Sequence, residues 1–316
     1  MRSFQYRPLA ILTLFLLLAG CSSGGAQLEG ELITTENRLA DLSKALNNST
    51  LRNANIINQY AKILSASKPE LAPLLRELSK ESTISNPLYK SLESRYLAVK
   101  DETEPFDSWA DKVEELKVIQ AASNLAAFND ALSDTVNVIA DLSEGKLARV
   151  NAVSKDTEMT MNNSKDHGAG SQYIGNPHYG RWNHGSGGSM WAWYGQYHFF
   201  SSMFGGRPYY YNSWAGNRGY SYYHDVGRSS YTSRTDRTRQ VATDTRARKQ
   251  FGSSGNYRSP YSKSRTGATG MSKASLARQK STFNSPYSKG SSSSTSKYQS
   301  STRSNYRRST GTSRGK

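Results

Sequence analysis

The chain has 316 residues, of which 35% are hydrophobic, and its 41 basic and 25 acidic side chains give a formal net charge of +16. Globular chains carry about 45–50% apolar residues on a count that includes glycine, so only part of this one can bury a core. Its one cysteine, Cys21, excludes disulfides within the chain and any site needing several thiolates.

The charge is unevenly spread. Residues 28–150 hold 14 basic and 19 acidic side chains, whereas residues 228–316 hold 20 and 2. The excess cation therefore belongs to the C-terminal end, and the overall charge does not describe the part that folds.

Arg2 and Arg7 precede an apolar run from Leu9 to Leu18, and Ala19 and Gly20 lead into Cys21. This is the three-part pattern of a secretory signal over residues 1–20, too short to span a bilayer. Leu18-Ala19-Gly20-Cys21 resembles the lipobox of bacterial lipoproteins. That resemblance implies cleavage before Cys21, diacylation of its thiol, and acylation (palmitate) of the new amino terminus. At about 0.8 kcal/mol per buried methylene, three chains would hold the protein at a membrane essentially permanently. Ser22 stands where an aspartate would signal retention in the inner membrane, so the resemblance implies the outer membrane, periplasmic face, more than the inner one.

Residues 21–27 read as a lipidated Ser/Gly tether. From there Leu28, Leu32, Leu39, Leu42, Leu46, Ile56, Tyr60 and Ile63 follow three- and four-residue steps, with Thr35, Ser49 and Asn53 filling the rest of the stripe. The spacing predicts one helix over 28–66, either packed on its own neighbours or serving as a coiled-coil surface for a protein partner. Short helices are expected near 71–80 and 88–100, each after a proline. A long last helix from Asp107 or Ser108 to Leu142 carries Val118, Ala121, Leu125, Phe128, Leu132, Val136 and Ile139 on one face. Residues 28–150 thus predict an all-α antiparallel bundle of two long helices joined by two short ones. This domain has no histidine, and its Glu114-Glu115 pair points about 100° apart around a helix. No catalytic set is expected in it.

A polar linker, 151–172, leads to a Gly/aromatic-rich segment over 173–227 that holds every tryptophan except Trp109. Two readings of this segment stay open together. Trp191, Trp193, Tyr194, Phe199 and Phe200 suit a membrane interface, and the glycine-spaced rings also suit a sticky low-complexity segment. A metal or catalytic set from His178, His184, His198 and His224 ranks last, because none of their spacings is that of a known ligand motif.

Residues 228–316 are poor in aliphatic side chains and read as a disordered basic Ser/Thr/Arg tail. Arg228, Arg234, Arg237, Arg239, Arg246, Arg248, Lys249, Arg307 and Arg308 are its candidate contacts to polyanions. A repeat is visible in it: Ser259-Pro260-Tyr261-Ser262-Lys263 recurs as Ser285-Pro286-Tyr287-Ser288-Lys289. Basic residues interleaved with tyrosine suit a nucleic-acid arm. With a secretory signal the available polyanions are instead lipopolysaccharide, anionic phospholipid or anionic polysaccharide, and no intracellular nucleic acid is expected.

Ser186-Gly187-Gly188-Ser189-Met190-Trp191, the Phe251-Gly252 step and the lipobox together resemble the layout of YgiB-type bacterial lipoproteins. That resemblance carries no activity with it, and the cysteines of that family's folded part are missing here. The expectation is a non-enzymatic envelope lipoprotein with no metal and no cofactor. Its alternative is an accessory docking subunit of a secretion, transport or appendage system, using helix 28–66.

Overall fold

The computed structural model describes residues 7–203, 207–262 and 265–266, and of residues 7–23 only the helical backbone. Its first half is helical as expected, but the two long helices are broken. The first becomes α1 (Arg7–Asn47) and α2 (Arg52–Ser67); the two short helices follow as α3 (Ala72–Lys80) and α4 (Pro87–Lys100); and the last becomes α5 (Trp109–Ala122), α6 (Leu125–Ala131) and α7 (Ser133–Leu142).

The helix expected over 28–66 stops at Asn47 because Asn48-Ser49-Thr50 close its end. Ser49 takes a left-handed φ of 50°, and the Thr50 N–H donates back to the Ala45 carbonyl at 2.9 Å. The long last helix is cut at Asn124, whose side chain accepts from the Ala126 and Ala127 N–H groups and so starts α6 afresh. The two breaks are tied together. The Asn53 N–H donates to the Asn129 side chain at 2.8 Å, and the Asn53 amide donates to the Asn129 carbonyl at 2.7 Å.

Leu39, Leu42, Leu46, Ile57, Leu64, Leu75, Leu92, Leu116, Ile119, Phe128, Val136 and Ile139 form one buried core. Full burial of such a side chain stabilises by about 1.5–3 kcal/mol. The leucines through which helix 28–66 would dock a partner are thus spent inside the chain. Nor is the bundle simply antiparallel. Gly24 of α1 lies against Trp109 of α5, and further along Glu31 accepts from Gln120 at 2.8 Å, so α1 and α5 run in the same direction. Gly24 to Gln27 are helical and Gly24 is buried under the Trp109 indole, which replaces the flexible tether expected there. Among the described residues no helix is long and apolar enough to cross a membrane.

The second half folds onto the first. It consists of α8 (Lys155–Asn162), the antiparallel hairpin β1 (Gly180–Gly185) and β2 (Gly188–Trp193), α9 (Phe199–Met203), α10 (Tyr211–Asn217), a π-helical turn Tyr223–Gly227, α11 (Arg228–Tyr231) and α12 (Arg234–Phe251). Ser186 and Gly187 form the two-residue turn of the hairpin, a connection short enough to pair Trp182 with Trp191 across the strands, rings 5.1 Å apart. Tyr173, Tyr179, Tyr197, Phe200, Tyr222, Tyr223 and Tyr231 enter the helical core, and Ile174, Trp191, Tyr211, Trp214, Ala215 and Ala247 form a second cluster.

This overturns the low-complexity reading of 173–227. The glycines mark close approaches of rings to backbone. Gly175 has φ +83°, and a methyl group there would come within 2.5 Å of the Trp214 ring. Gly175→Ala combines left-handed strain with overpacking and is expected to destabilise by about 3 kcal/mol, read as a shift in the denaturant midpoint.

The tail boundary at 228 is overturned too, because folded structure continues to residue 262. Ser233 caps α12 by accepting from the Asp236 N–H, and Gln240, Thr243 and Ala247 are its buried face. Tyr231 is 1% exposed in the first core. Burial here uses aromatic and small polar side chains, so the scarcity of aliphatic residues gave no sign of it. Residues 267–316, with Arg307 and Arg308, lie outside the described residues.

Candidate functional site

The expected polyanion contacts divide once α12 is formed. Arg228 is engaged inside the fold: its Nε donates to Gln240 at 2.7 Å and its guanidinium stacks 3.6 Å from the centre of the Tyr261 ring. Arg237 donates to the Ser229 carbonyl at 3.1 Å, and Arg234 lies over Phe106 and 3.7 Å from Asp107. Arg239 and Arg248 pair with Asp236 and Asp244 on their own helix at 3.2 and 3.5 Å, exposed pairs worth little.

Arg239, whose pair leaves it well exposed, joins two further cations in a solvent-facing stripe. Arg239, Arg246 and Lys249 are spaced i, i+7 and i+10, one face of a helix with 3.6 residues per turn, and all three are exposed. The hairpin extends it. β2 packs on α12, with Gln250 donating to the Ser186 carbonyl at 3.0 Å. Arg181 on β1 shares the surroundings of Tyr194 with Arg239: burial and Asp236 raise the Tyr194 hydroxyl above its usual pKa while both guanidiniums lower it. Burial and the Arg246 charge lower His184 below its ordinary value. Arg181, Arg246 and Lys249 make no ion pair among the described residues. Arg181 was not legible as part of this surface in the sequence, because only the hairpin register places it there.

The residues expected at a membrane interface separate in the same way. Trp191 and Phe200 are 5% and 0% exposed, Trp193 and Phe199 are half-buried, and only Tyr194 is exposed. The first two are core residues and cannot meet a bilayer while the chain is folded. Cys21 falls within α1, in the part whose side chains lie outside the described residues.

The most unusual chemistry is internal. Glu81, just past α3, is 1% exposed and has hydroxyl donors on both oxygens: Thr135 at 2.6 Å, Tyr179 at 2.9 Å, and Tyr173 and Tyr197 at 3.3 Å. Burial pushes its carboxyl up to about 7 against the pull of these four donors. Asp134 on α7 is likewise pushed up to about 7 by burial, although the Tyr222 and Tyr223 N–H groups donate to it at 2.7 and 3.0 Å. Both carboxyls fasten the aromatic half to the bundle, and neither has solvent access through which a substrate would reach it. Glu81 stood in a polar turn, and nothing in the spacing of the four hydroxyls along the chain announced their convergence.

The histidines do not converge. His178 and His224 reach the backbone oxygens of Tyr231 and Ile174 at 2.6 and 2.8 Å, His184 reaches the Ser189 hydroxyl at 2.7 Å, and burial lowers all three. No group of three or more metal-ligating side chains occurs among the described residues. A cleft of about 420 Å3 beside Tyr197 is lined by Glu77, His198 and Ser202, but no hydrogen bond among the described residues joins these three.

No family model matches the chain, and no curated protein and no solved structure matches it either.

Proposed function

We propose that the chain is a lipid-anchored, non-enzymatic protein of the bacterial cell envelope, facing the periplasm from the outer membrane, whose folded body binds anionic envelope polymers. The observation that carries the binding part is the stripe of Arg239, Arg246 and Lys249, continued by Arg181. Cations held on rigid elements at one solvent face attract phosphate- or carboxylate-bearing surfaces, and they need no groove to do so. The lipobox supports the anchor. If the mature chain starts at Cys21, the acyl chains leave three residues before Gly24, beside the half-exposed Trp109. Tryptophan favours the headgroup level, so Trp109 takes over the interface role first given to Trp191 and Phe200.

The anchor is tested by mass spectrometry of the N-terminal peptide, which should begin at an acylated Cys21. For the binding face, the probe is vesicles containing anionic phosphatidylglycerol, added to the mature chain without its cysteine. Neutralising Arg181, Arg239, Arg246 and Lys249 to glutamine is expected to weaken binding at low salt at least tenfold. It should also reduce the slope of log affinity against log salt by about 3, since each phosphate contact adds to that slope. An unchanged slope would remove this face from the account.

A further inference from the structure

The first copy of the pentapeptide repeat is docked. Ser259-Pro260-Tyr261-Ser262 forms a turn closed by the Ser262 N–H on the Ser259 carbonyl at 3.3 Å, with proline in the second position, where its fixed φ suits a turn. The body meets this turn with a built site. Arg218, 3% exposed, is held by Asp225 through two hydrogen bonds of 2.9 and 2.7 Å. It turns its Nε and Nη2 onto the Pro260 carbonyl at 3.0 and 2.8 Å. Arg228 covers the Tyr261 ring at 3.6 Å, and His224 lies 6.2 Å from it. The site thus reads a proline carbonyl and the tyrosine ring after it.

We propose that this Arg218/Arg228 site also takes the second copy of the repeat, Ser285-Pro286-Tyr287-Ser288, whenever the first copy leaves it. The second copy supplies the same proline carbonyl, the same ring and the same turn-forming sequence. What it lacks sets the order of preference. The first copy is clamped downstream by Arg265, which donates to Asp225, Asn162 and Gly216 at 3.2, 3.1 and 3.4 Å, and by Thr266, which donates to Asn162 at 2.7 Å. Upstream, the Tyr257 hydroxyl donates to Asp244. At the corresponding positions of the second copy Ser291 and Ser292 carry the same backbone N–H groups, but Ser291 has no guanidinium for Asn162 and Gly216, and Phe283 has no hydroxyl for Asp244. The first copy therefore holds the site at rest and the second is its replacement. The 21 residues between the copies reach at most about 75 Å, enough for the second copy to serve its own site or that of a neighbouring chain. In the second case the repeat stitches chains together. This inference stands apart from the anchor and the basic stripe.

The chain from Ser22 has no cysteine, so engineered pairs are unique in it. A Cβ at Gly216 would lie 3.7 Å from the Cβ of Arg258, a separation that suits a disulfide. Gly216→Cys with Arg258→Cys reports the first copy, and Gly216→Cys with Asn284→Cys reports the second, since Asn284 precedes it as Arg258 precedes the first. Gly216→Cys with Ser294→Cys reports chance encounter.

In a Tyr261→Ala background the Asn284 pair is expected to form a disulfide at least five times faster than the Ser294 pair, and adding Tyr287→Ala should abolish the difference. With Tyr261 intact the Asn284 pair should accumulate more slowly but still ahead of the Ser294 pair, an arm that involves no destabilising change. A monomer band on a non-reducing gel assigns exchange within one chain, and a dimer band assigns it between chains. Equal rates for the Asn284 and Ser294 pairs in both backgrounds would overturn the proposal.

Discussion

Glu81→Gln is expected to gain about 2.5 kcal/mol over the natural protein at pH 8 relative to the comparison of the two at pH 5. The folded carboxyl is pushed up to about 7 from an ordinary 4.5, and no cation faces it to offset the burial. A folded state that holds its proton more tightly than the unfolded chain has its full stability below the unfolded pKa, and loses it as pH rises through the folded value. Glu81 therefore costs stability progressively between pH 4.5 and about 7, at 1.36 kcal/mol per unit. Glutamine keeps a carbonyl for two of the four hydroxyls and carries no proton to lose, so its stability has no such slope.

Other groups titrate in the same range. His178 and His224, lowered by burial, contribute stability that is lost as pH falls below 6.5, and Asp134 acts in the same direction as Glu81. All of them are common to both proteins, so the difference between the two denaturant midpoints isolates Glu81. Equal midpoint shifts at pH 5 and pH 8 would mean that the carboxyl is solvated. Glu81→Ala, which removes the acceptor of the buried Thr135 and Tyr179 hydroxyls, is expected to destabilise at both pH values.

Cutting the chain after Gly227 is expected to collapse the cooperative melt of the helical half, whereas a chain cut after Thr266 keeps it. The difference between these two chains is α11, α12 and the first copy of the repeat. Tyr231 carries much of it. Its ring meets Phe128 at 6.2 Å, and its hydroxyl donates to the Ala122 carbonyl at 2.8 Å, at the end of α5 where the helix breaks. Its own carbonyl holds His178 at 2.6 Å. Arg95 adds a second tie, donating from Nη1 to the Ser230 carbonyl at 2.7 Å while its Nε holds the buried Glu115 at 2.6 Å.

Removing a buried aromatic of this kind costs about 3–5 kcal/mol. Tyr231→Ala alone should lower the melting temperature by about 10 °C in a domain of this size, and Tyr231→Phe by much less. A melt of the chain ending at Gly227 that matches the chain ending at Thr266 would contradict the packing of 228–251 on the bundle.

Helix content and the main apolar stripe were legible in the sequence because a 3.6-residue period survives any tertiary arrangement. The breaks at Ser49 and Asn124 were not, because Ser49 fits the first stripe as a polar filler, Asn124 lies beside the second without interrupting its period, and each ends a helix only once the chain turns there. The aromatic half was misread for a different reason. Its glycines and serines have the composition of a flexible segment, yet Gly175 and Gly180 are placed where Trp214 and Trp191 press on the backbone. Composition cannot distinguish a glycine that loosens a chain from one that admits a ring. The basic residues were found, but only folding separates Arg228, used up against Tyr261, from Arg246 and Lys249 on the surface. Arg181 joins them through a hairpin whose Ser186-Gly187 turn has, in the sequence, the composition of a low-complexity segment.

The folded body itself, lipid anchor apart, is expected to bind anionic envelope material through its basic face. This is tested by co-sedimentation of the chain from Ser22 to Thr266 with washed outer-membrane vesicles, from low to high salt, beside the same chain neutralised at Arg181, Arg239, Arg246 and Lys249. The unaltered body is expected to sediment at low salt and to be released as salt rises, while the neutralised body stays in solution throughout. Sedimentation of both bodies alike at every salt concentration, or of neither, would contradict it.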